Sequence, residues 1–308
     1  MKMTGEGVYN ASIYGPTPAR WTNFTVPSLI DDFPLHVACS CPFEASPDTK
    51  LPVVFFFFGG GLIIGSVKME EPMIRWIAHV SRSVVCAVDY RVPPLYPYPT
   101  AMNDAIDAAE AVLEQQVKVE KMLNTGIDFQ RIGTFGVSAG GYMAAHTARR
   151  LTERGRTLKV QVSLIPMVKP HGGTASILRN WDDIWSGLHN AYAWSIFLPG
   201  DDGTLANDWR VSLLVDPPEG VLAKLPPTYI EIHTRDILRD EGALYANRLQ
   251  KQGKLIELRE YDTSHIGGMP ILSKGGTADG SYEHAIDVLK QYLYMEEDAL
   301  SFSDSVDN

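Results

Sequence analysis

Cysteine is scarce in this 308-residue chain, which has only Cys39, Cys41 and Cys86. Three thiols cannot build a disulfide framework, and Cys39-Ser40-Cys41 reads as no more than packing. No Cys-x-x-Cys or His-x-x-His spacing occurs, so no metal site is implied and no cofactor is expected. Positive charge is also short: 27 Lys and Arg against 37 Asp and Glu give a net charge of −10 with no basic cluster. That balance excludes a nucleic-acid footprint and favours a small neutral or cationic partner over a polyanion. Long apolar runs are missing too. The longest, Leu51 to Ile64, is interrupted by Gly59-Gly60-Gly61 and falls short of the about 20 residues a membrane span needs. Met1 to Arg20 has no apolar core of the signal-peptide kind. The expectation is a soluble, cytoplasmic protein with no membrane partner and reduced thiols.

What is present is ordinary globular composition, 45% hydrophobic and 21% charged. A chain this long can bury roughly three quarters of its unfolded surface in one core. Strand-length apolar runs recur at Val53–Phe58, Val84–Asp89, Ile132–Val137, Val160–Pro166, Thr228–His233 and Ile256–Tyr261. Helix-period stretches alternate with them at Glu70–Val80, Ala101–Gln116, Gly140–Glu153, Asp240–Gln252 and Tyr282–Glu296. Most of the runs are too uniformly apolar to have a solvated face, so the fold class is α/β, a mostly parallel sheet flanked by helices. Residues 172 to about 222, rich in Trp, Gly, Pro and Asp, break the rhythm. They read as a helical cap inserted in one domain spanning 1–308, joined by residues 1–30.

Chemistry enters at Gly136-Val137-Ser138-Ala139-Gly140, between a strand and a small-residue helix. A sharp strand-to-helix turn raises the Ser138 hydroxyl above the sheet, and the small neighbours are what let the chain turn so tightly. A serine hydroxyl needs a base, and the base needs an orienting carboxylate. His265, in the loop beyond the last strand, is the base candidate, whereas His146, His233 and His284 lie in strands or helices. Asp236 follows the strand Thr228–His233, at the carboxyl edge where catalytic groups gather in open α/β sheets. Its rivals Asp240 and Glu241 look like first-turn residues of the next helix. Phe58-Gly59-Gly60-Gly61 offers backbone N–H groups to a developing oxyanion. His171-Gly172-Gly173 falls after the nucleophile and reads as a decoy.

Together these motifs resemble the hormone-sensitive-lipase-like carboxylesterases of the α/β-hydrolase superfamily. The resemblance runs from Leu51 to Tyr294. It includes Asp89-Tyr90-Arg91-Val92-Pro93-Pro94, Leu225-Pro226-Pro227 and Asp236 with Asp240-Glu241-Gly242. It implies Ser138, Asp236 and His265 as a triad, and the N–H groups of Gly60, Gly61 and Ala139 as the oxyanion hole. Three departures stand out. Phe58 replaces the family's loop-anchoring histidine, Val137 replaces an acidic residue, and Leu95-Tyr96 replaces a Glu-His pair whose loss should remove a local polar network.

The expected reaction is hydrolysis of a small apolar carboxylic ester or lactone through an acyl-enzyme. Phe58, Trp185, Trp194 and Phe197 are the candidate substrate contacts, with ordinary cap packing as their other reading. Amide cleavage of the arylformamidase kind uses the same triad. A cyclase, lyase or isomerase of secondary metabolism, or a small-molecule receptor, could use the same scaffold, although receptors of that type lose the base histidine that His265 supplies. Related esterases often dimerise through terminal elements, so a homodimer is carried as an expectation.

Overall fold

A computed structural model describes residues 19–170, 172–180, 185–265 and 280–296. Eight strands form one sheet in the order β1-β2-β4-β3-β5-β6-β7-β8. They are β1 (Ala19–Pro27), β2 (Pro34–Pro42), β3 (Leu51–Phe57), β4 (Val84–Val88), β5 (Ile127–Val137), β6 (Val160–Leu164), β7 (Thr228–Arg235) and β8 (Leu255–Ser264). β2 runs antiparallel to both β1 and β4, and every pairing from β4 to β8 is parallel. β3, β4 and β6 are buried along their whole length, as expected of strands covered on both faces, although β6 includes the buried polar Gln161 and Ser163.

Helices α1 (Val67–Ser81), α2 (Thr100–Glu114), α3 (Gln116–Leu123) and α4 (Ala139–Glu153) precede the 172–222 region. α5 (Ala175–Arg179), α6 (Gly187–Phe197) and α7 (Glu219–Leu222) lie within it, and α8 (Arg239–Lys251) and α9 (Ser281–Tyr294) follow. α1 and α9 pack together on one side of the sheet, while α4 packs on β3, β5 and β6 and contacts α2. α4 lies close behind the end of β3 because a Cβ on Gly140 would strike the Phe57 carbonyl.

Three expectations change. Ala19–Pro27 pairs along the whole of β2, so this part of the N-terminal region is sheet rather than cap; residues 1–18 lie outside the described residues. Cys39 and Cys86, expected as reduced packing residues, are bonded to each other across the β2/β4 pair, leaving Cys41 free and buried. They sit directly opposite in the antiparallel register, which brings the two side chains together. The polar network near Leu95-Tyr96 is rebuilt rather than lost. Arg91 donates twice to Asp104, at 2.9 and 2.7 Å, and its guanidinium also reaches Asp31. The same group packs against the neighbouring Phe33 and Tyr96 rings, 4.3 and 5.0 Å from their centroids.

Candidate active site

β5 delivers Ser138 to the carboxyl edge of the sheet, and α4 begins at the next residue. Ser138 has φ 58° and ψ −120°, a conformation that favours glycine and is held here by its surroundings. Its N–H donates to the Leu164 carbonyl at 2.8 Å, and its own carbonyl accepts from Tyr142 and Met167, each at 3.2 Å. Gly136 and Gly140 make the turn possible, because a Cβ on Gly136 would collide with the Gly140 carbonyl.

His265 stands directly beyond the end of β8, with Nε2 3.0 Å from Ser138 Oγ and Nδ1 2.7 Å from Asp236 Oδ2. A carboxylate only accepts, so the Nδ1 position carries the proton and the Nε2 lone pair faces the serine hydroxyl. The other Asp236 oxygen accepts the Leu238 N–H at 2.9 Å, which fixes the carboxylate plane. Asn180, in the turn after α5, donates to the Asp236 carbonyl at 2.9 Å, a support the sequence did not flag. All three side chains are buried, with Ser138 and His265 each 3% exposed and Asp236 1% exposed.

The glycine loop lies beside this chain of hydrogen bonds. Gly60 has φ 120° and Gly61 φ 63°, and a Cβ on Gly59 would lie 3.0 Å from the Val137 carbonyl. Backbone therefore passes against backbone at the elbow, where the Ala139 N–H also marks the start of the α4 dipole. Phe58 cannot anchor this loop as a histidine would, and Tyr90 does so instead. Its hydroxyl donates to the Phe58 carbonyl at 2.7 Å, and the two rings stack with centroids 4.0 Å apart. Burial pushes the Tyr90 hydroxyl well above its ordinary pKa, so it remains a donor.

The four expected substrate contacts separate. Trp185 is half-buried at the site: its ring lies where a Cβ on Gly61 would be, and it stacks 6.4 Å from the His265 ring. Phe58 is buried under Tyr90. Trp194 and Phe197 are buried edge-on against Tyr142, at 5.4 and 6.4 Å between centroids. Phe58 thus packs on Tyr90 of the loop after β4, and Trp194 and Phe197 pack from the 187–197 helix onto Tyr142 of α4. Trp181 and His171 lie outside the described residues. Of the other histidines, His146 is fully buried, and that burial keeps it neutral. His284 bonds Glu257 at 2.9 Å and His233 bonds Glu231 at 3.0 Å. Among the described residues no cluster of His, Cys, Asp and Glu could hold a metal.

The family described as alpha/beta hydrolase fold matches residues 54–267, more than half of the chain. The chain belongs to this family. Among curated relatives of the hydrolase, an arylesterase of Saccharolobus solfataricus is 29% identical over 233 residues, covering 73% of this chain and 69% of its own length. Esterase LipI of Mycobacterium tuberculosis is 31% identical over 232 residues, covering 73% and 66%. The chain thus spans about two thirds of the length of these relatives. A solved thermostable esterase from Pseudomonas putida superposes with a TM-score of 0.81 at 27% identity, covering 91% of this chain and 85% of that one. The kinship with carboxylesterases read from the motifs is borne out. It favours ester hydrolysis over the cyclase, lyase, isomerase and receptor alternatives. No helix among the described residues is long and apolar enough to cross a membrane.

Proposed function

We propose that the hydrolase cleaves small apolar carboxylic esters or lactones through an acyl-enzyme on Ser138. The single observation that carries this reading is the unbroken relay from Ser138 Oγ through His265 to Asp236, at 3.0 and 2.7 Å. As Oγ attacks the carbonyl carbon, His265 Nε2 takes its proton, and Asp236 stabilises the imidazolium that forms. The carbonyl oxygen becomes an oxyanion held by the N–H groups of Gly60, Gly61 and Ala139. Collapse breaks the ester C–O bond, and His265 returns the proton to the leaving alkoxide. Water then repeats the sequence, delivering its proton to His265 and its hydroxide to the acyl carbon, which frees Ser138 and the acid.

The size of the acyl group follows from Trp185. Its indole already fills the space against Gly61 and beside His265, so short acyl groups are accepted best. The 172–222 region acts as the cap, contributing Trp185 as its contact with substrate. The Cys39–Cys86 bond argues against the cytoplasmic setting expected from the sequence, and the redox state of the two cysteines in cells decides it: a bonded pair supports an oxidising compartment and reduced thiols the cytoplasm.

Turnover of p-nitrophenyl acetate faster than butyrate is expected, with fluorophosphonate labelling of Ser138 that disappears in Ser138→Ala. A folded wild-type protein that neither turns over these esters nor labels at Ser138 overturns the proposal.

A further inference from the structure

A second histidine–carboxylate pair lies directly behind His265. Glu231 and His233 are two residues apart on β7, so they share one face of the sheet. Each is 1% exposed. His233 Nε2 is 3.0 Å from Glu231 Oε1, and His233 Nδ1 is 3.0 Å from the carbonyl oxygen of Ser264, the residue that precedes His265. Ser281, the first residue of α9, donates its hydroxyl to the same Glu231 oxygen at 2.6 Å. The pair therefore grips the chain at Ser264 and again at Ser281.

The sheet explains why a side chain is needed here. The β7/β8 register shifts between His233 and Arg235, where backbone pairing becomes irregular. At that shift the His233 imidazole bonds the Ser264 carbonyl. A hydrogen bond from a buried side chain to the backbone at the residue before His265 fixes the direction in which the chain leaves β8 and presents His265.

We infer that Glu231 and His233 form a positioning pair that holds the backbone carrying His265 in register with Ser138. This inference rests on the reading of Ser138 and His265 as nucleophile and base. The proton placement follows from the acceptors. A carbonyl can only accept, so His233 Nδ1 carries a proton. The contact between Nε2 and Oε1 then requires a second proton between them, with either the imidazole charged or the carboxyl neutral. A glutamine at position 231 supplies that hydrogen through its amide, and an asparagine at position 233 presents an N–H near the place of Nδ1. The aromatic ring of Tyr261 closes the site edge-on, 6.4 Å from the His233 ring.

The test compares the rate at which a fluorophosphonate labels Ser138, together with kcat and KM for p-nitrophenyl acetate, in four proteins. These are wild type, Glu231→Gln, His233→Asn and His233→Leu, each checked for folding by near-UV circular dichroism. His233→Leu is expected to lower kcat and the labelling rate by up to about a hundredfold with KM little changed, the scale of a misplaced base. Glu231→Gln stays near wild type, and His233→Asn recovers part of the loss. A folded His233→Leu protein that labels at the wild-type rate overturns the inference, as does an equal loss in His233→Asn and His233→Leu. In case the leucine variant fails to fold, the nitrogen-15 shifts of His233 in the wild-type protein decide independently: a protonated Nδ1 is expected and an unprotonated one contradicts the pair. Failure of wild type itself to label would instead refute the reading of the Ser138 site.

Discussion

Gly61 combines φ 63° with the Trp185 indole packed where its side chain would begin. Gly61→Ala is expected to lower kcat for p-nitrophenyl acetate by about a hundredfold, the usual consequence of displacing one oxyanion donor. Adding Trp185→Ala should restore part of that activity, because the colliding ring is gone. What stays lost reports the left-handed backbone, about 1–2 kcal/mol for a residue with a Cβ. Trp185→Ala alone should raise the butyrate-to-acetate ratio of kcat/KM; an unchanged ratio would show that the indole does not limit the acyl group. Tyr90→Phe removes the hydroxyl that holds the Phe58 carbonyl and should lower stability by about 1–3 kcal/mol in urea unfolding, with a parallel loss of kcat. At this scale the sequence was legible where chemistry imposes a local pattern, as at Gly136 to Gly140. Tyr90 was not legible as the loop anchor, because its bond to Phe58 joins positions 32 apart and replaces a histidine interaction with a different chemistry. Trp194 and Phe197 stayed open between substrate contact and packing for a related reason: an aromatic residue in a cap can face the site or the core, and residue type alone does not choose between them.

Among the secondary-structure elements, β3 and β4 were visible because burial on both faces leaves an unbroken apolar run, and the other parallel strands because apolar residues recur in short runs bounded by turns. β1 was not, since its side chains alternate between half-buried and exposed and it includes polar Arg20, Thr22, Asn23 and Thr25. The 187–197 helix escaped notice because it is apolar around most of its circumference and has no clear stripe to mark one face. Arg91 shows how elements are tied across the sequence, linking the turn after β1, the end of β4 and α2 through Asp31 and the fully buried Asp104. Arg91→Leu leaves that buried carboxylate without its guanidinium, with the backbone N–H of residue 91 still donating to it, and should destabilise the protein by about 3–5 kcal/mol in urea unfolding. Glu241, in the first turn of α8, behaves differently. Burial pushes its carboxyl up to about 8, against the opposing pull of Lys169. The folded chain therefore keeps a proton that the unfolded chain releases near its ordinary value of 4.5. Stability from this group is complete below that value and declines as the pH rises toward and through about 8. Glu241→Gln should flatten the decline, and equal pH dependence of the urea midpoint in variant and wild type would contradict this account.

For the whole molecule, the bonded pair Cys39–Cys86 joins β2 to β4 across 47 positions of sequence. Closing a loop of that length is worth about 4 kcal/mol on chain-entropy grounds. Thiol titration of the protein unfolded without reductant should find one reactive cysteine, Cys41, and a titre of three would show the pair reduced. The pairing lay beyond the sequence because it depends on β2 lying antiparallel beside β4, a register set by the sheet and not by the spacing of the cysteines.

A covalent intermediate on Ser138 is tested most directly by rapid-quench mass spectrometry of the protein mixed with p-nitrophenyl acetate. One acetyl group is expected on the peptide containing Ser138 in the first turnover, accumulating in wild type and absent from Ser138→Ala. Release of nitrophenol at a full catalytic rate with Ser138 never acetylated, or an undiminished rate in Ser138→Ala, would contradict it.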